Sequence, residues 1–208
     1  MNSAYRTHQG KVRKNNQDSL LALPGLYPLY AIADGMGGHR GGNVASAMAV
    51  ESLRTLDVSI MPDQAILEAA VQNANSRIFE RQLHDFSLSG MGTTLTALWE
   101  GRDFLLIAHV GDSRAYLFRD GILKQSTTDH SLVGELLRSG AITPEMARNY
   151  PYRNIVTRAV GTELSLQCDM QFVDKKPLDR WLICSDGLTE YASQAQLIHA
   201  MGLPLDDA

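Results

Sequence analysis

Three aspartates stand beside glycines at the ends of apolar, strand-like runs: Asp34-Gly35-Met36-Gly37-Gly38, Gly111-Asp112-Ser113-Arg114 and Ser185-Asp186-Gly187. Carboxylates at the mouth of a sheet, next to residues without a side chain, leave room for backbone carbonyls and waters to approach a common point. Such oxygen-rich sets suit hard divalent cations, Mg2+ or Mn2+, and point to a polynuclear metal site. Metal-assisted hydrolysis of a phosphate ester is the reaction class that such a site serves.

The chain has 208 residues, 44% hydrophobic and 20% charged, enough to bury one substantial core, and implies a single domain over 1–208. A net charge of -4 argues against a broad nucleic-acid or acidic-membrane surface, although Arg6, Lys11, Arg13 and Lys14 form a local basic cluster. Cys168 and Cys184 are far apart and have no partner at metal-ligand spacing, so they read as buried reduced thiols rather than a disulfide framework or a zinc site. The segment Met1 to Asp18 has no apolar stretch of the secretory kind, and no run is long enough to span a bilayer, so a cytoplasmic protein is expected.

Leu29 to Ala33 reads as a buried strand, which the glycine cluster Gly35 to Gly42 breaks before a helix from about Asn43 to Leu56. A second helix is expected from Pro62, near its first turn, to about Leu83. Thr93–Trp99, Phe104–Val110, Ala115–Arg119 and Ile122–Gln125 then form an antiparallel meander, with Asp120-Gly121 as a two-residue hairpin turn. Phe104 to Ala108 is apolar on both faces, which predicts a sheet lying between another sheet and helices. A short helix over Ser131–Ser139, stopped by Gly140, and another capped by Thr143 ahead of Pro144 fill a flap-like insertion at about 130–155, of the kind that covers a binding site. A strand returns at Trp181–Cys184, and a last helix starts near Ser193.

Taken together, seven motifs resemble, in order, those of the PPM family, the metal-dependent protein serine/threonine phosphatases of the PP2C type, and especially its bacterial members. They are Arg13-Lys14-Asn15-Asn16-Gln17-Asp18, Ala33-Asp34-Gly35-Met36-Gly37-Gly38, Gly92-Thr93-Thr94, Gly111-Asp112-Ser113-Arg114, Asp129-His130-Ser131-Leu132, Thr157-Arg158-Ala159-Val160-Gly161 and Cys184-Ser185-Asp186-Gly187-Leu188. The resemblance implies an α+β fold: a PP2C-like sandwich of two antiparallel sheets flanked by helix pairs, with metals in a cleft at one end. It also implies that Asp34 bridges two metals, that the Gly35 carbonyl helps to hold one of them and that Asp186 binds the other. Asp112 with Asp186 would hold a third, weaker ion, Asp18 would support the cluster through metal-bound water, and Arg13 would grip the substrate phosphate. Two or three Mn2+ or Mg2+ ions are therefore expected.

The activity implied is hydrolysis of phosphoserine and phosphothreonine in proteins, opposing a serine/threonine protein kinase, with that kinase or its targets as partners. The alternative is a catalytically weakened PPM-like module that binds phosphoproteins. No nucleic acid or membrane partner is expected; a monomer is, with a strand-lending dimer as the alternative. Thr93 and Thr94 read as buttressing strand residues, Arg158 as an ion-pair residue, His130 as structural beside Asp129, and Asp112 as open to pairing with Arg114. Two departures from the family stand out. Met36 occupies the position where animal members carry a His general acid, with His39 nearby. The family's closing Asp-Asn pair and strand are not found, so the domain is expected to be truncated, with Asp206 and Asp207 as tail residues.

Overall fold

The computed structural model describes residues 3–11 and 15–203, with the backbone alone at 38–40. Strands β1 (Asp18–Leu23) and β2 (Leu29–Met36) precede two helices, α1 (Gly38–Arg54) and α2 (Gln64–His84). The meander follows as β3 (Gly92–Thr93), β4 (Leu95–Glu100), β5 (Phe104–Val110), β6 (Arg114–Arg119) and β7 (Ile122–Gln125). Short helices α3 (Leu132–Arg138) and α4 (Pro144–Arg148) come next. Then come β8 (Asp169–Asp174), β9 (Arg180–Cys184), the single turn α5 (Asp186–Thr189) and α6 (Gln194–Gly202).

The strands make two antiparallel sheets, ordered β1-β2-β4-β5-β8, with β3 on β2, and β7-β6-β9. Strand alternation sorts the core into layers. Leu106, Ala108 and Val110 of β5 join Leu29, Ala31 and Trp99 against Ala49, Leu53, Val71 and Ile78 of α1 and α2. Leu105 and Ile107, pointing the other way, meet Ala115, Val173, Trp181 and Ile183 between the sheets. The outer face of the second sheet, Tyr116, Leu123 and Cys184, lies under Leu197 of α6. The α-β-β-α sandwich is thus present, and the doubly apolar β5 lies between helices and a sheet.

Local chemistry explains most of the boundaries. Asp120 and Gly121 turn the β6–β7 hairpin with φ of 53° and 77°, the left-handed pair that such a turn requires. Ser131 and Thr143 cap α3 and α4 through their side-chain oxygens, and Ser193 with Gln196 forms a capping box at α6.

Three expectations need correction. The glycine run 35–42 does not break the chain over its whole length: the turn is confined to Gly37, at φ 111°, and α1 starts at Gly38, five residues earlier than Asn43. The reason is close approach, since a Cβ on Gly35 would lie 1.9 Å from the Gly42 carbonyl oxygen. Helix α2 starts at Gln64 rather than at Pro62, which lies just ahead of the first turn, because Asp63 is the cap and accepts the Ile66 N–H at 3.0 Å. Strands β1 and β8 were not anticipated; β8 is an edge strand whose sequence, Asp169-Met-Gln-Phe-Val-Asp174, is mostly exposed. Cys184 is buried as expected, whereas Cys168 is half-buried, and both are free thiols. Among the described residues, no helix is long and apolar enough to cross a membrane.

Candidate active site

Antiparallel pairing places the start of β1, the end of β2, the start of β4 and the end of β5 at one end of the first sheet. Asp18 and Asp34 are directly opposite in the β1–β2 register. In the second sheet Arg114 of β6 pairs with Cys184 of β9, so Asp112 and Asp186, each two residues beyond that pair, leave the sheet side by side. Ser185 Oγ donates to Asp18 Oδ2 at 3.0 Å, which joins the ends of β9 and β1 across the two sheets. Asp18, Asp34, Gly35, Asp112 and Asp186 therefore gather at one end of the sandwich. Arg13, Asp206, Asp207 and the side chain of His39 lie outside the described residues.

Hydroxyl groups hold this end together. The Thr94 Oγ accepts the Asp34 N–H at 2.9 Å and shares a proton with the buried Ser113 Oγ at 2.7 Å. The Thr93 hydroxyl donates to the Asp34 carbonyl at 2.9 Å, and the Thr94 N–H donates to the same oxygen. The Gly35 N–H donates to the Gln17 carbonyl at 3.0 Å, and Gly35 pairs with Thr93 between β2 and β3. The two threonines are buttresses, as their strand-like sequence predicted.

Charge is concentrated beside this frame. Burial, then the charges of Asp186 and Asp129, push the Asp112 carboxyl up to about 6. Arg114 does not pair with Asp112. Its guanidinium grips both oxygens of Asp129, with Nη2 to Oδ2 at 2.6 Å and Nε to Oδ1 at 2.9 Å, and Gln125 Nε2 adds a third donor to Oδ1 at 2.8 Å. Arg158 turns to Asp169, at 2.8 Å, in the ion pair its sequence context suggested. His130 is not held by its neighbour Asp129; its ring contacts Gly111 and Asp169 instead.

Among the described residues, no group of three or more histidine, cysteine or acidic side chains could hold a metal ion. The protein thus offers oxygen donors singly and in pairs, which does not fit a closed zinc site but does fit Mg2+ or Mn2+, ions that keep several waters. A cation beside Asp112 and Asp186 would relieve the crowding that raises Asp112.

The protein phosphatase 2C profile matches residues 7–203, nearly the whole chain. The chain belongs to the protein phosphatase 2C family. Within it, this phosphatase is of the bacterial serine/threonine type. It is 39% identical over 205 residues to the serine/threonine phosphatase stp of Listeria innocua, which covers 95% of this chain and 81% of that protein. Its fold matches the crystal structure of the Mycobacterium tuberculosis serine/threonine phosphatase PstP/Ppp with a TM-score of 0.88 at 40% identity, over 96% of this chain and 84% of that one. A structure of the PstP catalytic domain in complex with two manganese ions is likewise similar, with a TM-score of 0.85 and 39% identity over 96% of this chain and 83% of that one.

The carboxylates and glycines of the site were legible because each ends an apolar run. The partners of the hydroxyl frame were not, since Thr94 meets Asp34 across 60 residues of chain and Ser113 across 19. Their only sequence signature is polar residues at the inner ends of apolar strands.

Proposed function

We propose that this phosphatase hydrolyses phosphoserine and phosphothreonine monoesters in proteins, using carboxylates carried on strand ends of both sheets. The observation that carries the reading is the convergence of Asp18, Asp34, Asp112 and Asp186 at one end of the sandwich, with Asp112 held at a pKa near 6. Asp34 would bridge two Mn2+ or Mg2+ ions, the Gly35 carbonyl would contribute to one, and Asp186 would hold the other. Asp112 and Asp186 together would take a third. When bound, such ions neutralise phosphate charge and acidify water for attack on phosphorus. Asp18, fixed by the Ser185 hydroxyl, would orient water at the cluster. Arg13 would grip two phosphate oxygens of the substrate.

The residues 1–208 form one phosphatase domain in this reading, and the segment at about 130–155 is a flap beside the cleft. Support for the flap comes from its base, where the Leu132 N–H donates to Ile155 O and the Thr157 N–H donates to His130 O, so that α3 and α4 extend from a closed neck. Substrates are phosphorylated cytoplasmic proteins, including a serine/threonine kinase or its targets; two free thiols support that compartment.

The test is phosphate release from a phosphothreonine peptide with and without Mn2+, for the parent protein and its Asp34→Asn and Asp186→Asn variants. Turnover should require Mn2+ and fall at least about 100-fold in each variant, beyond the effect usual for a residue outside the ligand sphere. A folded, Mn2+-binding parent protein that holds the phosphopeptide without turnover would refute the proposal and make this a phosphoprotein-binding module.

A further inference from the structure

The β5–β6 connection is only Gly111, Asp112 and Ser113, and it is pinned on both sides of the aspartate. Ser113 is held by Thr94. Gly111 is held by one residue, His130, through two bonds: the His130 N–H donates to Gly111 O at 2.7 Å, and the Gly111 N–H donates to His130 Nδ1 at 3.0 Å. Gly111 adopts φ 105°, and a Cβ there would lie 2.6 Å from the Thr94 methyl carbon, so the turn has little freedom to find another shape. Resting on the assignment of Asp112 to a cation site, we propose that His130 is a positioning residue that sets the Gly111-Asp112 turn and so controls the affinity of the ion shared by Asp112 and Asp186.

The imidazole can do this in one tautomer only. Accepting the Gly111 N–H requires a lone pair on Nδ1, so the ring proton sits on Nε2, from which it donates to Asp169 Oδ2 at 3.1 Å. Asp169 is itself fixed by Arg158 Nη1, 2.8 Å from Oδ1. Arg158 Nη1 is also 3.0 Å from His130 Nε2, but two donors face each other there and the bond belongs to the carboxylate. The neighbouring His109 ring, 4.8 Å away, directs Nε2 to the Thr128 carbonyl. Arg158 and Asp169 thus hold the tautomer, His130 holds Gly111, and Gly111 places Asp112. At 5% exposure, the His130 ring has no comparable contact with water that would make it a surface group.

Side-chain stereochemistry separates this role from simple packing. An asparagine amide oxygen falls where Nδ1 lies, whereas a glutamine amide reaches the Nε2 position. His130→Asn should keep the Gly111 bond, and His130→Gln and His130→Leu should lose it. Mn2+ binding is followed by calorimetry on the full chain, with Asp112→Asn as reference and thermal unfolding as the fold control. The weaker class of Mn2+ should be retained within about 3-fold by His130→Asn and weakened by about 10–100-fold in the other two, as outer-sphere partners of ligands usually are. The tighter class should stay within about 2-fold in all three, a selectivity that general loss of packing would not produce. If His130→Gln binds the weaker Mn2+ as well as His130→Asn does, or His130→Leu is unchanged, the proposal is overturned. If His130→Leu does not fold, the Asn and Gln pair decides the matter alone. An Asp112→Asn titration identical to the parent would instead remove the cation assignment itself, and the proposal with it.

Discussion

Without cations, Asp112 is the group whose charge the fold tolerates poorly, and its replacement tests the site electrostatically. Burial, then Asp186 and Asp129, raise its pKa from 3.8 to about 6. At about 1.4 kcal/mol per pH unit, keeping it ionised in the folded state costs about 3 kcal/mol relative to the unfolded chain. Because the folded pKa is the higher one, that cost is absent below 3.8, grows through the interval up to about 6, and is complete above it. Asp112→Asn removes the charge while keeping the shape. In chelator at about pH 7.5 the variant should be more stable than the parent by up to about 3 kcal/mol, or roughly 6–12 °C in Tm for a chain of this size. Near pH 4 the gain should vanish, and saturating Mn2+ should reverse the order, because the parent then binds an ion that the variant does not.

His109 slopes the other way: burial, then His130, lowers its pKa from 6.5 to about 4, so its neutral ring contributes fully above 6.5 and loses that contribution as pH falls toward 4. The two slopes offset each other in the parent, and Asp112→Asn should therefore also steepen the acid loss of stability. Urea unfolding in chelator across this pH range measures both effects. An asparagine variant no more stable than the parent near pH 7.5, or a gain that does not change with pH, would refute the reasoning.

Thr94→Val leaves the Asp34 N–H and the Ser113 hydroxyl without their shared oxygen, and should cost roughly 2–4 kcal/mol in urea unfolding and reduce Mn2+-dependent turnover. Gly161→Ala puts a Cβ 2.1 Å from Ile78 Cγ2 at φ 89°, so a loss of at least about 2 kcal/mol is expected, with the 159–164 loop drawn off α2 and read as faster hydrogen exchange at the N–H of residue 161, which donates to Asn75 Oδ1. Ser193→Ala removes the capping box of α6 and should lower stability by about 1 kcal/mol with no effect on Mn2+ affinity.

The parts of the site that could be read from sequence are those with a local cause. Asp34, Asp112 and Asp186 each follow an apolar run, and an Asp beside glycine at the end of such a run announces its chemistry even where, as in β2, the strand continues to Met36. The β6–β7 turn, the Thr143 cap, the helix starts near Ser131 and Ser193 and the doubly apolar β5 were legible for the same reason. Where the cause is distant, the sequence is ambiguous. A glycine run signals a break whether it makes a turn or allows a helix to lie against a strand, and only the approach of Gly42 to Gly35 distinguishes the two. Strand β8 carries the opposite ambiguity: as an edge with little burial, it has no alternation strong enough to announce itself, and its place follows from pairing with β5.

The same distinction separates ligand from scaffold. A carboxylate can be assigned from its neighbours in sequence, but the angle at which it faces another is set by whatever holds its backbone. Here those supports are Thr94 on one flank of the β5–β6 turn and His130 on the other, 19 residues from the Ser113 and Gly111 they respectively hold. Histidine beside Asp129 looks like half of a local pair in the sequence. In the fold Asp129 is already occupied by Arg114 and Gln125, which leaves the His130 ring to Asp169 and Gly111. The turn that carries Asp112 is therefore set by a chain of contacts from the residue just before β4, from the residue before the Ser131 cap of α3, and from the start of β8. None of these adjoins it in sequence, and a change in any of them should reach the proposed cation site through backbone geometry rather than through charge.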